Sequence, residues 1–245
     1  MEVFINDIKL SLHTAQNILD EIGKAIQFRK RICIFSGNIH SFNFASRFGW
    51  FKKLLNDSEI VRNDSSGLQL ACRLLRVPVP DRNTWADFGW QLADYCSKYG
   101  YTLFFLGGTE GTAQRAADKI KKKLPGVKIL GTMHGYFDKQ GIENESVVSM
   151  INNLSPNILL VGFGMPIQEA WIRNNKIKLN VNAIMTCGNC FAYLAGLEKR
   201  APKFIRMIGM EWLFRFLMEP KRLFNRYMRG IPYFYLNLIK SRNIH

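Results

Sequence analysis

Thr102-Leu-Phe-Phe-Leu-Gly-Gly-Thr-Glu-Gly-Thr-Ala-Gln-Arg-Ala-Ala-Asp-Lys-Ile-Lys-Lys-Lys-Leu-Pro-Gly-Val-Lys-Ile-Leu130 holds one complete repeat of the fold. Thr102–Leu106 is a short apolar run of the length of a buried strand. Two glycines interrupt it, Gly111–Lys123 has helical spacing, and Val127–Leu130 is apolar again. Strand, helix and strand in that order make a βαβ unit, whose strands lie parallel. Working outward, the same kind of run recurs at Ile32–Phe35, Ile158–Phe163 and Ala183–Thr186, with helical spacing over Thr84–Tyr99 and Pro166–Ile177. The alternation predicts an α/β domain with a mostly parallel sheet flanked by helices. Ligands of such sheets bind beyond the carboxyl ends of the strands, so the loops there are where function is sought.

The 245 residues suit one large domain, or one domain with an appendage. With 47% hydrophobic residues the chain can bury a core, which excludes a disordered protein. A formal charge of +15 calls for a polyanionic partner: nucleic acid, an anionic membrane surface or a phosphorylated substrate. The acidic residues in Met1-Glu-Val-Phe-Ile-Asn-Asp7 are unlike a signal peptide, and no apolar stretch reaches the roughly 20 residues of a spanning helix. A cytosolic protein, or one that binds a membrane from the cytosol, is expected. The five cysteines then read as buried thiols, and Cys187-Gly-Asn-Cys190 lacks the second ligand pair that zinc requires.

Each strand-end loop admits a functional and a plain reading. Ser36 and Asn38 in Phe35-Ser-Gly-Asn38 suit hydrogen bonds to a sugar or base, and equally suit a turn. Asp64 in Asn63-Asp-Ser-Ser-Gly67 is a general base for a sugar hydroxyl on one reading; on the other, Asp64 or Ser65 caps the helix that follows. Gly107 and Gly108 open a helix and suit an anion loop or a tight turn, without the G-x-G-x-x-G fingerprint of dinucleotide sites. In Val161-Gly-Phe-Gly-Met-Pro-Ile-Gln-Glu169, Gly164 leaves space and Gln168 sits in the first helical turn, within reach of a ligand. Glu169 reads there as a favourable partner of the helix dipole. Gly188 follows the fifth of these strands. Small residues with a polar neighbour at so many strand ends favour a nucleotide-type ligand.

After about Gly196 the composition changes. From Lys203 to His245 there are nine Lys or Arg against two acids, with Phe, Trp and Tyr interleaved. This predicts a helical, basic C-terminal appendage over 196–245, broken near Pro220 and Pro232, beside a catalytic domain over 1–195. Arg215, Arg222, Arg226 and Arg229 are spaced to stay near one helical face, and the aromatics suit a bilayer interface.

Read together, these loops and the runs Lys199-Arg-Ala-Pro-Lys203, Glu211-Trp-Leu-Phe-Arg215 and Glu219-Pro-Lys-Arg222 resemble the WecG/TagA/CpsF family of bacterial glycosyltransferases, from about Ile32 to Tyr235. The resemblance implies a Rossmann-like domain and an appendage that reaches the membrane. It implies inverting transfer from a UDP-sugar to an undecaprenyl-diphosphate-linked sugar, without an essential metal, at the cytoplasmic face. By position it makes Asp64 the base and Ser36, Asn38, Arg82 and Gln168 substrate-binding residues. It brings Arg215, Arg222 and, shifted by one, Arg226 to the lipid or nucleotide diphosphate. The sequence departs from the family pattern at Ser65, Trp85, Ile167 and Ala192, which leaves the class standing and the donor sugar open. A nucleic-acid-binding protein and a non-catalytic membrane subunit are the rival readings. The strand-end loops and the retained Asp64, Asn38, Arg82 and Gln168 weigh against them. A homo-oligomer is compatible with all of this.

Overall fold

Phe104 and Phe105 are adjacent in sequence and both fully buried, one in each of two cores, because their strand is covered on both faces. A computed structural model describes residues 1–207 and 209–242, with the backbone alone at 222, 241 and 242. In chain order the strands are β1 (Glu2–Ile5), β2 (Ile8–Ser11), β3 (Ile32–Gly37), β4 (Ile60–Asn63), β5 (Thr102–Gly107), β6 (Lys128–Met133), β7 (Ile158–Gly162) and β8 (Ala183–Thr186). The helices between them are α1 (Ala15–Gln27), α2 (Ile39–Arg47), α3 (Gly49–Asn56), α4 (Ser66–Leu75), α5 (Trp85–Tyr99), α6 (Thr112–Lys123), α7 (Gly141–Leu154), α8 (Ile167–Asn175) and α9 (Cys190–Ala195). Beyond them come α10 (Lys203–Met207), α11 (Glu211–Met218), α12 (Pro220–Phe224), a widened π turn at Asn225–Arg229, and α13 (Gly230–Arg242).

Six strands form a parallel sheet in the order β4-β3-β8-β7-β5-β6. Strand side chains alternate between two cores. Phe35, Phe104, Leu106, Leu159, Val161 and Ile184 pack with α2, α3, α4, α7 and α8. Ile34, Leu103, Phe105, Ile158, Leu160 and Met185 pack with α1, α5, α6 and α9. Burying each such side chain contributes roughly 1.5–3 kcal/mol, so register is strongly specified. At the centre, Gly107 and Gly162 face each other across β5 and β7, and a Cβ on Gly107 would lie 2.4 Å from the Gly162 carbonyl oxygen. Only glycine permits that approach, which lets the loops after β5 and β7 diverge.

The expected strands and helices are all present, with ends shifted by a few residues. Helices α1, α2, α3 and α7 lie beyond those expectations, as do two further features. Ile5-Asn6-Asp7-Ile8 is a two-residue hairpin with both central residues at positive φ, and its Ile5, Ile8 and Leu10 are core residues. The short β4 is the other, and it carries a buried arginine.

The C-terminal segment is helical and breaks at Pro220, which starts α12. The π turn lies just before Pro232, whose missing N–H cannot close an α-helical bond onto Met228. The break after α11 corrects the expectation of one arginine face running from Arg215 to Arg229, since Arg215 stands on a separate helix. Helix α13 packs along α2, where Phe234 and Leu238 enter the core and Asn43 Nδ2 donates to the Gly230 carbonyl at 2.6 Å. Among the described residues no helix is long and apolar enough to cross a membrane.

Candidate active site

A cleft of about 720 Å³ lies beyond the carboxyl ends of β3, β4, β7 and β8, and the C-terminal helices form its opposite wall. Its size suits a small-molecule site. Ser36, Asn38, Asp64, Arg82, Gly164, Gln168, Gly188, Arg215 and Arg226 all line it. Residues 190 positions apart in sequence thus meet in one hollow. Gly107 and Gly108 do not line it; Gly107 is in register with Gly162, while Gly108 N–H donates to the Gly162 carbonyl and the Gly108 carbonyl accepts from Gly135 N–H, so their loop serves strand packing. The side chain of Arg222 lies outside the described residues.

Asp64 follows β4, its N–H donating to the Gly37 carbonyl at 2.9 Å. Ser65, and not Asp64, caps α4, with Ser65 Oγ accepting from Gly67 N–H at 3.1 Å. The Asp64 carboxylate is therefore left to the cleft. Burial pushes its pKa above the ordinary value; Arg62, then Arg215 and Arg226, pull it back, and Glu211 opposes them. Asp64 is a half-buried carboxylate whose charge depends on the cations around it.

Two sequence candidates have their side chains engaged within the protein. Ser36 Oγ accepts from Arg62 Nη2 at 2.8 Å and from Trp85 Nε1 at 3.3 Å, and donates to the Thr186 carbonyl at 3.3 Å. Gln168 Oε1 accepts from Gly188 N–H at 3.1 Å, while its Nε2 donates to Glu169 Oε1 at 2.8 Å. These two shape the cleft floor and fix the Gly188 loop. Asn38 caps α2 through Oδ1, which accepts from Ser41 N–H at 3.1 Å, and its amide nitrogen makes no hydrogen bond among the described residues. Arg82 donates to the Arg206 carbonyl at 3.3 Å and stands 4.0 Å from Glu211. Arg200 also lies 4.0 Å from Glu211 and donates to both carboxylate oxygens of Asp87. These pairs tie α11 to the sheet domain and hold Arg215 over the Tyr193 ring, 4.9 Å from its centre.

A carboxylate facing several arginines at the carboxyl ends of a parallel sheet is suited to deprotonate a hydroxyl beside a phosphorylated leaving group. The model of the glycosyl transferase WecG/TagA/CpsF family matches residues 3–245. The chain belongs to that family. Its relatives include the N-acetylglucosaminyldiphosphoundecaprenol N-acetyl-beta-D-mannosaminyltransferases of Staphylococcus aureus strains MW2, NCTC 8325 and COL. Each is 28% identical over 222 residues, covering 89% of this chain and 84% of the relative. A WecG/TagA/CpsF protein is a glycosyltransferase.

This WecG/TagA/CpsF site also contains groups to which the sequence reading gave no role in a ligand site. Arg62 lies behind the cleft, and Trp85, noted only as a departure, lies across it. His40 lines the cleft, its pKa lowered to about 4 by burial and by Arg226 and Arg47, so it is neutral at pH 7. Glu169 is 2% exposed, and its Oε2 has no hydrogen-bond partner among the described residues. Burial raises its pKa to about 7 against an ordinary 4.5, outweighing the hydrogen bonds from Gln168 and from its own backbone N–H. Cys187 and Cys190 line the cleft as free thiols. Only the spacing of the Gln168-Glu169 pair in the first turn of α8 hinted that an acid would be buried there.

Glu169 makes stability depend on pH. A carboxyl whose folded pKa is raised stabilises the fold below its unfolded value, and that contribution is lost as pH rises through the folded value. Between pH 4.5 and about 7 the native chain should therefore lose, from this group, on the order of 3 kcal/mol. Glu169→Gln is expected to match the native chain at pH 4.5 and to exceed its stability at pH 8, as read by urea unfolding at both pH values. A stability difference that does not change with pH would show that Glu169 ionises normally.

Proposed function

We propose that this glycosyltransferase moves a sugar, with inversion, from a UDP-sugar to a sugar carried on undecaprenyl diphosphate, the second sugar addition in assembly of a bacterial cell-surface polymer. The observation that carries the reading is the convergence of Asp64 with Arg82, Arg215 and Arg226 in one cleft. Asp64 takes the proton of the acceptor hydroxyl as that oxygen bonds to the anomeric carbon. The bond from that carbon to the UDP oxygen breaks, and its electron pair leaves with the diphosphate. Guanidinium groups match phosphate oxygens bidentately, so the arginines receive the charge that develops there. Single displacement at the anomeric carbon inverts its configuration.

The acceptor class is supported by the relatives, whose names specify N-acetylglucosaminyldiphosphoundecaprenol. Their transferred sugar is N-acetylmannosamine; here Trp85 on the cleft wall and Ile167 beside Gln168 are reasons to test other sugars. The reading gives the diphosphate to arginines and involves no metal, consistent with a sequence that has no Asp-x-Asp pair. Phe204, Met207 and Leu217 are exposed among the basic residues of the C-terminal helices, a pattern that suits the surface of an anionic bilayer. The protein would act there peripherally, from the cytoplasmic face, where UDP-sugars are found.

A panel of UDP-hexoses, N-acetylhexosamines and uronic acids, each with and without a diphosphate-linked N-acetylglucosamine lipid, tests the reading. UDP release is expected for one donor class and only with the lipid acceptor. Equal release without the acceptor, or none with any donor, would overturn it.

A further inference from the structure

Arg62 is 1% exposed, on a strand that ends at the cleft. Its guanidinium carbon lies 4.5 Å from the centre of the Trp85 ring and 5.5 Å from that of Phe88. One terminal nitrogen donates to the Asn83 carbonyl and the other to Ser36 Oγ, while Nε has no partner among the described residues. Burying a cation this deeply carries a large desolvation cost, and an apolar side chain of the same volume would usually fill such a space at least as well. The acid that faces it is Asp64, whose Oδ2 is 3.9 Å from Arg62 Nη2. The thiols of Cys187 and Cys190 are the remaining titratable groups beside it.

Asp64 has other cations around it: Arg215 from α11 and Arg226 from the π turn, opposed by Glu211 from α11. Both of those arginines line the cleft. A diphosphate bound there would take up their charge and add its own negative charge, which disfavours a second anion nearby. Arg62 is different. Trp85 and Phe88 wall it off, and it is absent from the cleft lining, so a ligand cannot draw its charge away.

We propose that Arg62 is a positioning residue that keeps Asp64 ionised while an anionic donor fills the cleft, an inference that rests on Asp64 being the base. It touches no substrate and exchanges no proton. Ser36 and Trp85 belong to the same device: the hydroxyl and the indole ring hold the guanidinium in place, and both are themselves fixed by the Thr186 carbonyl. This also gives a physical reason for tryptophan at position 85.

The test is the pH dependence of kcat with saturating donor, which reports the base in the substrate complex. In Arg62→Met the acid limb is expected to move up by at least one pH unit. Activity on that limb falls at least about tenfold, recovery follows at alkaline pH, and KM for the donor stays within about twofold. Arg62→Lys should return the limb toward its native position. An unmoved acid limb in Arg62→Met, or a loss equal at every pH, would overturn the proposal. If the methionine variant does not melt cooperatively, Arg62→Gln, which can still donate to Ser36 Oγ, is held to the same criterion. Asp64→Asn separates the two ideas. If it is active, the base reading fails; if it is inactive while the Arg62 variants keep the native limb, only the role of Arg62 fails.

Discussion

Asp64→Asn is expected to lower turnover by about a thousandfold while UDP binding, measured by calorimetry, changes less than about threefold. General-base catalysis contributes typically 10²- to 10⁴-fold, and an amide cannot take the acceptor proton. The substitution is close to isosteric, and the helix cap is unaffected because Ser65 provides it. Arg62 keeps its bonds to Ser36 Oγ and to the Asn83 carbonyl, so the cleft floor keeps its shape. The remaining cost is a buried cation that loses its acid at 3.9 Å, which should appear as a lower melting temperature and not as unfolding. Turnover within tenfold of the native protein, with the fold intact, would remove Asp64 from the reaction. The carboxylate would then be only a counter-charge for Arg62.

The parts of this architecture legible in the sequence are those set by local periodicity. The apolar run Thr102–Leu106, its glycine exit and the helical spacing to Lys123 identify a βαβ unit, and the structure contains it with ends moved by one to three residues. Asn38, Asp64, Arg82, Arg215 and Arg226 were legible through their motifs, and they line one cleft. Other features depend on what lies opposite in space. Arg62 interrupts the apolar pattern of β4, and nothing within four residues says that Trp85 and Phe88 will enclose it. Gln168 has the residue type and position of a ligand-binding side chain, yet Gly188, twenty residues on, takes its acceptor oxygen. The hairpin had a signal in Asn6-Asp7, but its strands are only four residues each, and their burial comes from α3 and β4 far along the chain.

The C-terminal helices raise the same issue for experiment, because their arginines and their core residues are on one segment. Removing 209–245 would also remove Phe234 and Leu238 from the core and the bond from Tyr235 Oη to the Gly67 carbonyl, so lost activity would say little about the cleft. A single change separates these roles. Arg215→Met is expected to lower kcat about a hundredfold, within the 10²–10³ typical of losing one charge-stabilising donor, with vesicle binding unchanged. Arg215 is suited to this because Tyr193 supports its guanidinium from below, and because Glu211, on the same helix, is held by Arg82 and Arg200. The methionine keeps the apolar stem and removes the guanidinium, its charge and its donors. If KM for the donor rises while kcat stays native, Arg215 binds the ground state and does not meet the charge that develops as UDP departs. If vesicle binding falls in parallel with turnover, its charge is spent on the membrane instead, and the wall of the cleft opposite Asp64 must be supplied by Arg226 and Arg82.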